Sequence, residues 1–105
     1  MDLERTLDRL LAPEGGSLAL EARAPERGLA RSWRVVVDRD LFGRTCLVWS
    51  WGRIGTRGQG KSLSFADPEA ARGPLRSLLR RRLRAPRRIA VAYRPVEAGL
   101  HLHWI

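Results

Sequence analysis

The chain contains very little cysteine and no long apolar segment, and both absences narrow the class of protein. Its one cysteine, Cys46, excludes an internal disulfide and a zinc site built from cysteines. No apolar run approaches the roughly 20 residues that a membrane-spanning helix needs. The first sixteen residues mix acids with leucines and lack the apolar core of a signal peptide. We therefore expect a cytoplasmic protein, with the nucleoid as the alternative location.

Acidic residues are also missing from a large part of the chain. There is none from Ala70 through Val96. Residues 44–96 hold thirteen basic and two acidic side chains, a net charge of +11, whereas residues 1–43 have a net charge of −1. A genome that favours arginine would explain why 19 of the 20 basic residues are arginine, but not why acids are absent. This asymmetry is typical of a protein that binds a polyanion.

The length of 105 residues and the 44% hydrophobic content fit one globular domain. Four segments alternate apolar and polar residues, with only short turns between them: residues 17–24, 32–38, 45–53 and 61–65. Alternation predicts strands, and short turns predict an antiparallel meander. Residues 88–93 and 100–105 also alternate, which predicts a terminal hairpin across a turn at residues 94–99.

Two segments place leucines at helical spacing. Residues 2–11 predict a short amphipathic helix at the N-terminus. A main helix is predicted after Asp67, a candidate N-cap, and Gly73-Pro74 is expected to kink it or divide it in two. The fold class is therefore α+β, an antiparallel sheet of about four to six strands with one main helix packed across it and a short N-terminal helix.

The residues that favour a function lie in VWSWGRIGTRGQGKSLSF, residues 48–65. Trp51 falls at the end of a predicted strand, where composition leaves a core role and a ligand platform equally open. Gly52 removes a side chain beside the indole, and loop glycines leave backbone amides accessible to phosphate oxygens. Positive charge is added by Arg53, Arg57 and Lys61. Stacking of a base on Trp51 would contribute about 1–3 kcal/mol, and the charges would add salt-dependent attraction.

Other aromatic and basic residues have different expected roles. Trp33 and Trp49 fall within predicted strands, so we expect both indoles in the core. The arginines of the main helix lie largely off its apolar stripe and would extend a basic surface. The full set of candidate nucleic-acid-binding residues is Trp51, Gly52, Arg53, Arg57, Lys61, Arg76, Arg80, Arg81 and Arg84.

Residues 49–65 and the helix that follows closely resemble the WGR domain, which is named for the tripeptide that stands here as residues 51–53. The other matching residues are Gly55, Gly58, Gln59, Phe65 and the helix start near Asp67. The resemblance covers about residues 32–83. It implies a WGR-like domain over residues 17–105, preceded by an N-terminal extension of residues 1–16.

In DNA-dependent poly(ADP-ribose) polymerases, the WGR domain binds at DNA strand breaks, where its motif tryptophan packs against a terminal nucleotide near a 5′ end. The resemblance therefore implies a non-enzymatic module that binds DNA, preferring ends or nicks, without a cofactor. Trp51 would stack, Arg53 would hold the backbone or a neighbouring domain, and Lys61 would contact a phosphate. The chain has no room for a transferase domain. It departs from the family at Gly73-Pro74 and after the helix, where Tyr93 takes the place of an aromatic-ended tail.

Three alternatives remain beside this interpretation. A protein-interaction module would use the same scaffold, with its basic face on an acidic partner or its N-terminal helix docked on one. RNA is an alternative polymer, since it shares phosphates and stackable bases with DNA. A metal-dependent nuclease could draw on Asp38 and Asp40, or on His101 and His103, but no third ligand is placed by the sequence. We therefore expect no metal.

Overall fold

The computed structural model describes residues 2–84 and 91–96. Its elements, in chain order, are α1 (Leu3–Leu10), β1 (Gly16–Ala24), a 3₁₀ turn (Pro25–Arg27), β2 (Leu29–Arg39), β3 (Thr45–Arg53), β4 (Gln59–Phe65), α2 (Pro68–Leu83) and β5 (Arg94–Val96). This arrangement confirms the predicted α+β class and the four predicted strands. No helix among the described residues is long and apolar enough to cross a membrane.

The strands form one antiparallel sheet in the order β4-β3-β2-β1-β5. In its register, Trp33 on β2 lies opposite Leu20 on β1 and opposite Trp51 on β3. Since side chains alternate between the two faces of a strand, this register gathers the large apolar side chains on one face.

The C-terminal part differs from the sequence prediction. Residues 94–99 were expected to form a turn, but Arg94–Val96 is strand β5 and pairs with β1, with Val96 opposite Ala19. The outer edge of β1 offers backbone groups that need hydrogen-bond partners, and a segment from far along the chain supplies them. The remainder of the predicted hairpin lies mostly outside the described residues.

Both helices pack on the apolar face of the sheet. Residues Ala71, Leu75 and Leu79 of α2 are buried, in one cluster with Leu47 and Trp49 of β3. Trp33 also belongs to this cluster, so the predicted core roles of Trp33 and Trp49 are confirmed.

The leucines of α1 serve this same core. Leu7 and Leu10 are fully buried, and Leu3 packs against the cluster from its edge. Asp2 caps the helix, because its Oδ1 accepts a hydrogen bond from the Arg5 amide at 3.1 Å. The apolar side of α1 is thus occupied within the domain itself.

α2 runs unbroken through Gly73-Pro74, so the predicted division into two helices is wrong. Asp67 begins the helix as predicted, with Oδ1 accepting from the Ala70 amide at 2.8 Å. Pro74 lacks the amide that would bond to the Ala70 carbonyl. Gly73 lacks the Cβ that would press against the proline ring, which is why a helical conformation is tolerated there. Burial of Leu75 and Leu79 compensates for the lost hydrogen bond.

We predict that Pro74→Ala stabilises the protein by about 1–2 kcal/mol, because it restores one hydrogen bond within α2. Urea unfolding would measure the change. Gly73→Ala is the matched control and should give no such gain while Pro74 is present, since the new methyl group would meet the ring. A Pro74→Ala protein no more stable than the parent would contradict this account of α2.

Candidate nucleic-acid interface

Two clefts flank Trp51 where β3 ends. The first, of about 350 Å³, is lined among others by Gly28, Arg31, Trp51, Arg53, Arg82 and Tyr93. The second, of about 210 Å³, lies between β3, β4 and α2 and is lined among others by Trp33, Trp49, Trp51, Lys61, Arg81 and Arg82. The described part of the chain therefore brings aromatic rings and basic groups together at one end of the sheet.

Trp51 links these two clefts. Its indole is partly buried and packs against the hydrophobic core. In the sheet it lies opposite Trp33 on one side and Gln59 on the other. The ring is therefore anchored by packing while part of its surface stays open to both clefts.

The glycines after Trp51 close the β3–β4 loop upon itself. A Cβ on Gly52 would lie 2.8 Å from the Gly58 Cα. A Cβ on Gly58, whose φ is +67°, would lie 2.2 Å from the Trp51 carbonyl oxygen. Gly52, which the sequence predicts to admit a ligand close to the indole, lines the first cleft, and its missing side chain also makes room for the loop backbone. These glycines therefore fix the position of the Trp51 backbone.

Arg53 reaches across the mouth of the first cleft. Its Nη1 donates to the Gly28 carbonyl at 3.1 Å, and its own carbonyl accepts from the Thr56 hydroxyl at 2.7 Å. The neighbouring Ile54 amide donates to the Ala30 carbonyl at 2.9 Å. The β1–β2 turn and the β3–β4 loop are thus tied together beside the cleft.

Two arginines of the first cleft were missed by the sequence analysis. Arg31 lies opposite Arg53 across the β2–β3 ladder, beyond the predicted start of that strand. Arg82 lies between two rings, with its guanidinium carbon 5.7 Å from the centre of Trp33 and 5.6 Å from that of Tyr93. The sequence does carry an indication of this position for Arg82. It lies three residues after Leu79 and therefore falls on the buried side of α2.

Some of the remaining candidate residues line a cleft, and the others are exposed. Lys61 and Arg81 line the second cleft, whereas Arg57 is exposed in the β3–β4 loop. Arg80 and Arg84 are exposed at the end of α2.

Arg76 differs from the other candidate residues, because it points to α1. Its Nε and Nη2 donate to the two carboxylate oxygens of Glu4, each at 3.1 Å. These bonds lower the pKa of Glu4 and raise that of Arg76. The structure therefore does not bring Arg76 into the group around Trp51.

The carboxylates considered for a nuclease have structural roles. Asp40 organises the β2–β3 turn, with Oδ1 accepting from the amides of Phe42 at 2.8 Å and Arg44 at 3.0 Å. Asp38 accepts from the following amide, that of Arg39. No group of three potential metal ligands occurs within residues 2–84 and 91–96. His101 and His103 lie outside the described residues.

Comparison with known proteins agrees with this arrangement. Residues 16–85 match the sequence model of the WGR domain. Over 65 residues the chain is 38% identical to an uncharacterized protein, y4dW, of Sinorhizobium fredii. The match covers 62% of this chain and 32% of that protein, so it spans about a third of the relative's length. No solved structure matches the chain significantly.

We predict that Gly58→Ala destabilises the protein by more than about 1 kcal/mol, because the methyl group would collide with the Trp51 carbonyl and φ is positive. Thermal unfolding would measure the loss. Gly43→Ala is the control, since Gly43 has a similar φ of +77° but open space around it. Equal losses in the two variants would show that the contact with Trp51 has no energetic role.

We also predict that Arg82→Ala destabilises the protein by about 1–2 kcal/mol, because it removes the cation between two rings and its packed stem. Arg80→Ala, an exposed truncation on the same turn, should change stability by no more than about 0.5 kcal/mol. Denaturant unfolding followed by tryptophan fluorescence would test both. If the two variants were equally stable, the stack between Trp33 and Tyr93 would be energetically neutral.

Proposed function

Because the chain belongs to the WGR domain family, whose members are nucleic-acid-binding modules, we propose that it binds DNA at ends or nicks through Trp51. The observation that supports this proposal most is the position of the indole. It is held by the core, it is partly open, and it lies between two clefts that basic residues line. A WGR domain by itself is a binding module, so we propose no chemical step.

Preference for ends follows from how a base can reach Trp51. Inside a duplex both faces of each base are stacked, and freeing one costs a few kcal/mol. At an end one face is already free, and at a nick the broken backbone allows the stack to open at lower cost than inside an intact duplex. The Trp51 indole, which the hydrophobic core holds in place, can then take the position of the missing neighbouring base and contribute about 1–3 kcal/mol by stacking. Because packing already fixes the Trp51 side chain, little conformational entropy is lost when a base stacks on it.

Basic side chains on both sides of Trp51 would hold the DNA backbone. Arg53 and Arg31 line one cleft, and Lys61 and Arg81 line the other. Arg53 uses a single N–H on the Gly28 carbonyl, which leaves four of its five donors for phosphate oxygens. Arg57, Arg80 and Arg84 would extend the attraction around these clefts.

Two of the candidate residues take different parts in this proposal. Gly52 lets the loop close behind Trp51, and it also lines the first cleft, where its missing side chain would let a ligand approach the indole. Arg76 is set aside because one edge of its guanidinium, Nε and Nη2, already donates to the Glu4 carboxylate and points to α1. The proposed location is the cytoplasm, with association with the nucleoid as the alternative if DNA is the partner.

The decisive test compares one short duplex with open ends and the same duplex closed by hairpins at both ends, near physiological salt. We predict tighter binding to the open duplex. Trp51→Ala should remove this preference and lower affinity for open ends roughly 5- to 150-fold, the equivalent of about 1–3 kcal/mol. Phe42→Ala is the matched control, because it truncates an exposed aromatic residue in the β2–β3 turn.

Equal binding to both duplexes, unchanged in Trp51→Ala, would contradict end recognition and leave only a basic surface. Weak DNA binding that modest salt abolishes would instead favour an acidic protein partner. An open RNA duplex of the same sequence completes the set. Equal affinity for RNA would show a site indifferent to the sugar.

A further inference from the structure

Four arginines form a line along α2. They are spaced four residues apart, at Arg72, Arg76, Arg80 and Arg84. Adjacent members at this spacing are neighbours on the helix surface, about 6 Å apart along the axis, and the four together wind around roughly a third of the helix. Such a line would suit the phosphates of a DNA strand at any position along a duplex. We call it the arginine line.

The first half of the arginine line is occupied by α1. Glu4 accepts from both Arg76 and Arg72, the latter at 3.3 Å from Nη1, and Asp8 accepts from Nη2 of Arg72. Two carboxylates and two guanidiniums leave this half with no net charge. The second half lies in a turn with four arginines, residues 80, 81, 82 and 84, and no acid.

The two carboxylates are held in place by the packing of α1. Leu7 and Leu10 on the same helix are fully buried, and each contributes about 1.5–3 kcal/mol by burial. Arg9 adds a hydrogen bond from Nη1 to the Ser17 carbonyl of β1 at 3.3 Å. The acids therefore sit on a docked helix, which keeps both carboxylates close to the guanidiniums of Arg72 and Arg76.

We propose that Glu4 and Asp8 are specificity-determining residues that exclude DNA phosphates from the first half of the arginine line. This inference rests on the proposed DNA binding. It leaves the backbone contacts of α2 to the arginines at its C-terminal end, namely Arg81 in the second cleft and the exposed Arg80 and Arg84. α1 lies outside the matched WGR region, so this restriction is added to the WGR scaffold by a separate segment.

The charges explain why exclusion favours ends over the body of a duplex. The side chains of Glu4 and Asp8 are 59% and 67% exposed, whereas those of Arg72 and Arg76 are 25% and 30% exposed. A phosphate that approaches this half therefore meets carboxylates first. A full line of four free arginines would bind any duplex from the side and weaken the advantage of open ends.

The test removes both negative charges by Glu4→Gln with Asp8→Asn. We expect roughly tenfold tighter binding to both the open and the capped duplex, with a smaller ratio between them. The slope of log K against log salt concentration should steepen by about 0.9 for each new phosphate contact, up to two. The matched control is Glu14→Gln with Asp38→Asn, which makes the same change in net charge at exposed positions away from α2.

A reciprocal pair of variants tests the same idea without changing α1. Arg72→Gln with Arg76→Gln should weaken DNA binding by the parent protein no more than Arg5→Gln with Arg23→Gln, which makes the same change in net charge at other exposed positions, because Arg72 and Arg76 make no contact with DNA in the parent. In the Glu4→Gln, Asp8→Asn background the Arg72 and Arg76 pair should cancel the gain. Circular dichroism and melting curves would confirm that each protein keeps its fold.

Two results would overturn the inference alone. One is a gain no larger than that of the control pair, and the other is a loss of binding on changing Arg72 and Arg76 in the parent protein that clearly exceeds the loss in Arg5→Gln with Arg23→Gln. In both cases the open-end preference and its dependence on Trp51 would still support the proposed function. Absence of DNA binding by the parent protein would overturn the proposed function and this inference together.

Discussion

The register between β2 and β3 is the constraint on which the rest of the structure depends. It sets Val37 opposite Leu47, Val35 opposite Trp49 and Trp33 opposite Trp51. A slip by one residue would turn each of these side chains to the other face of the sheet. The core under α2 would be lost, and Trp51 would leave both clefts. Burial of the two inner indoles therefore holds the third, partly open indole in position.

α2 combines two tasks on different sides of one helix. Its buried side supplies Leu75 and Leu79 to the core, and its outer side carries the arginines. Arg82 joins these sides, because it is a basic residue held between Trp33 and Tyr93 at the border of the clefts. The packing of α2 on the sheet thus also decides where its positive charges lie. Glu4 and Asp8 of α1 then neutralise one part of that positive surface.

Local sequence patterns predicted correctly those features that depend mainly on interactions between residues close together in the sequence. Alternation and turn glycines predicted β3 with both of its ends, and Asp67 predicted the start of α2. Contacts between distant residues could not be predicted in this way. The pairing of Glu4 with Arg76 joins residues 72 positions apart, and β5 depends on an edge of β1 that only the assembled sheet presents. The continuity of α2 through Pro74 likewise depends on tertiary packing that outweighs local propensity.

The pairing of β5 with β1 has a consequence for how the domain connects to other sequence. β1 is the first strand of the sheet and β5 the last described one, and they are direct neighbours, with Ala19 opposite Val96. The polypeptide therefore enters and leaves the sheet at adjacent strands. A unit with this geometry can be spliced into a surface loop of a host protein, because the host backbone departs and returns at nearby points.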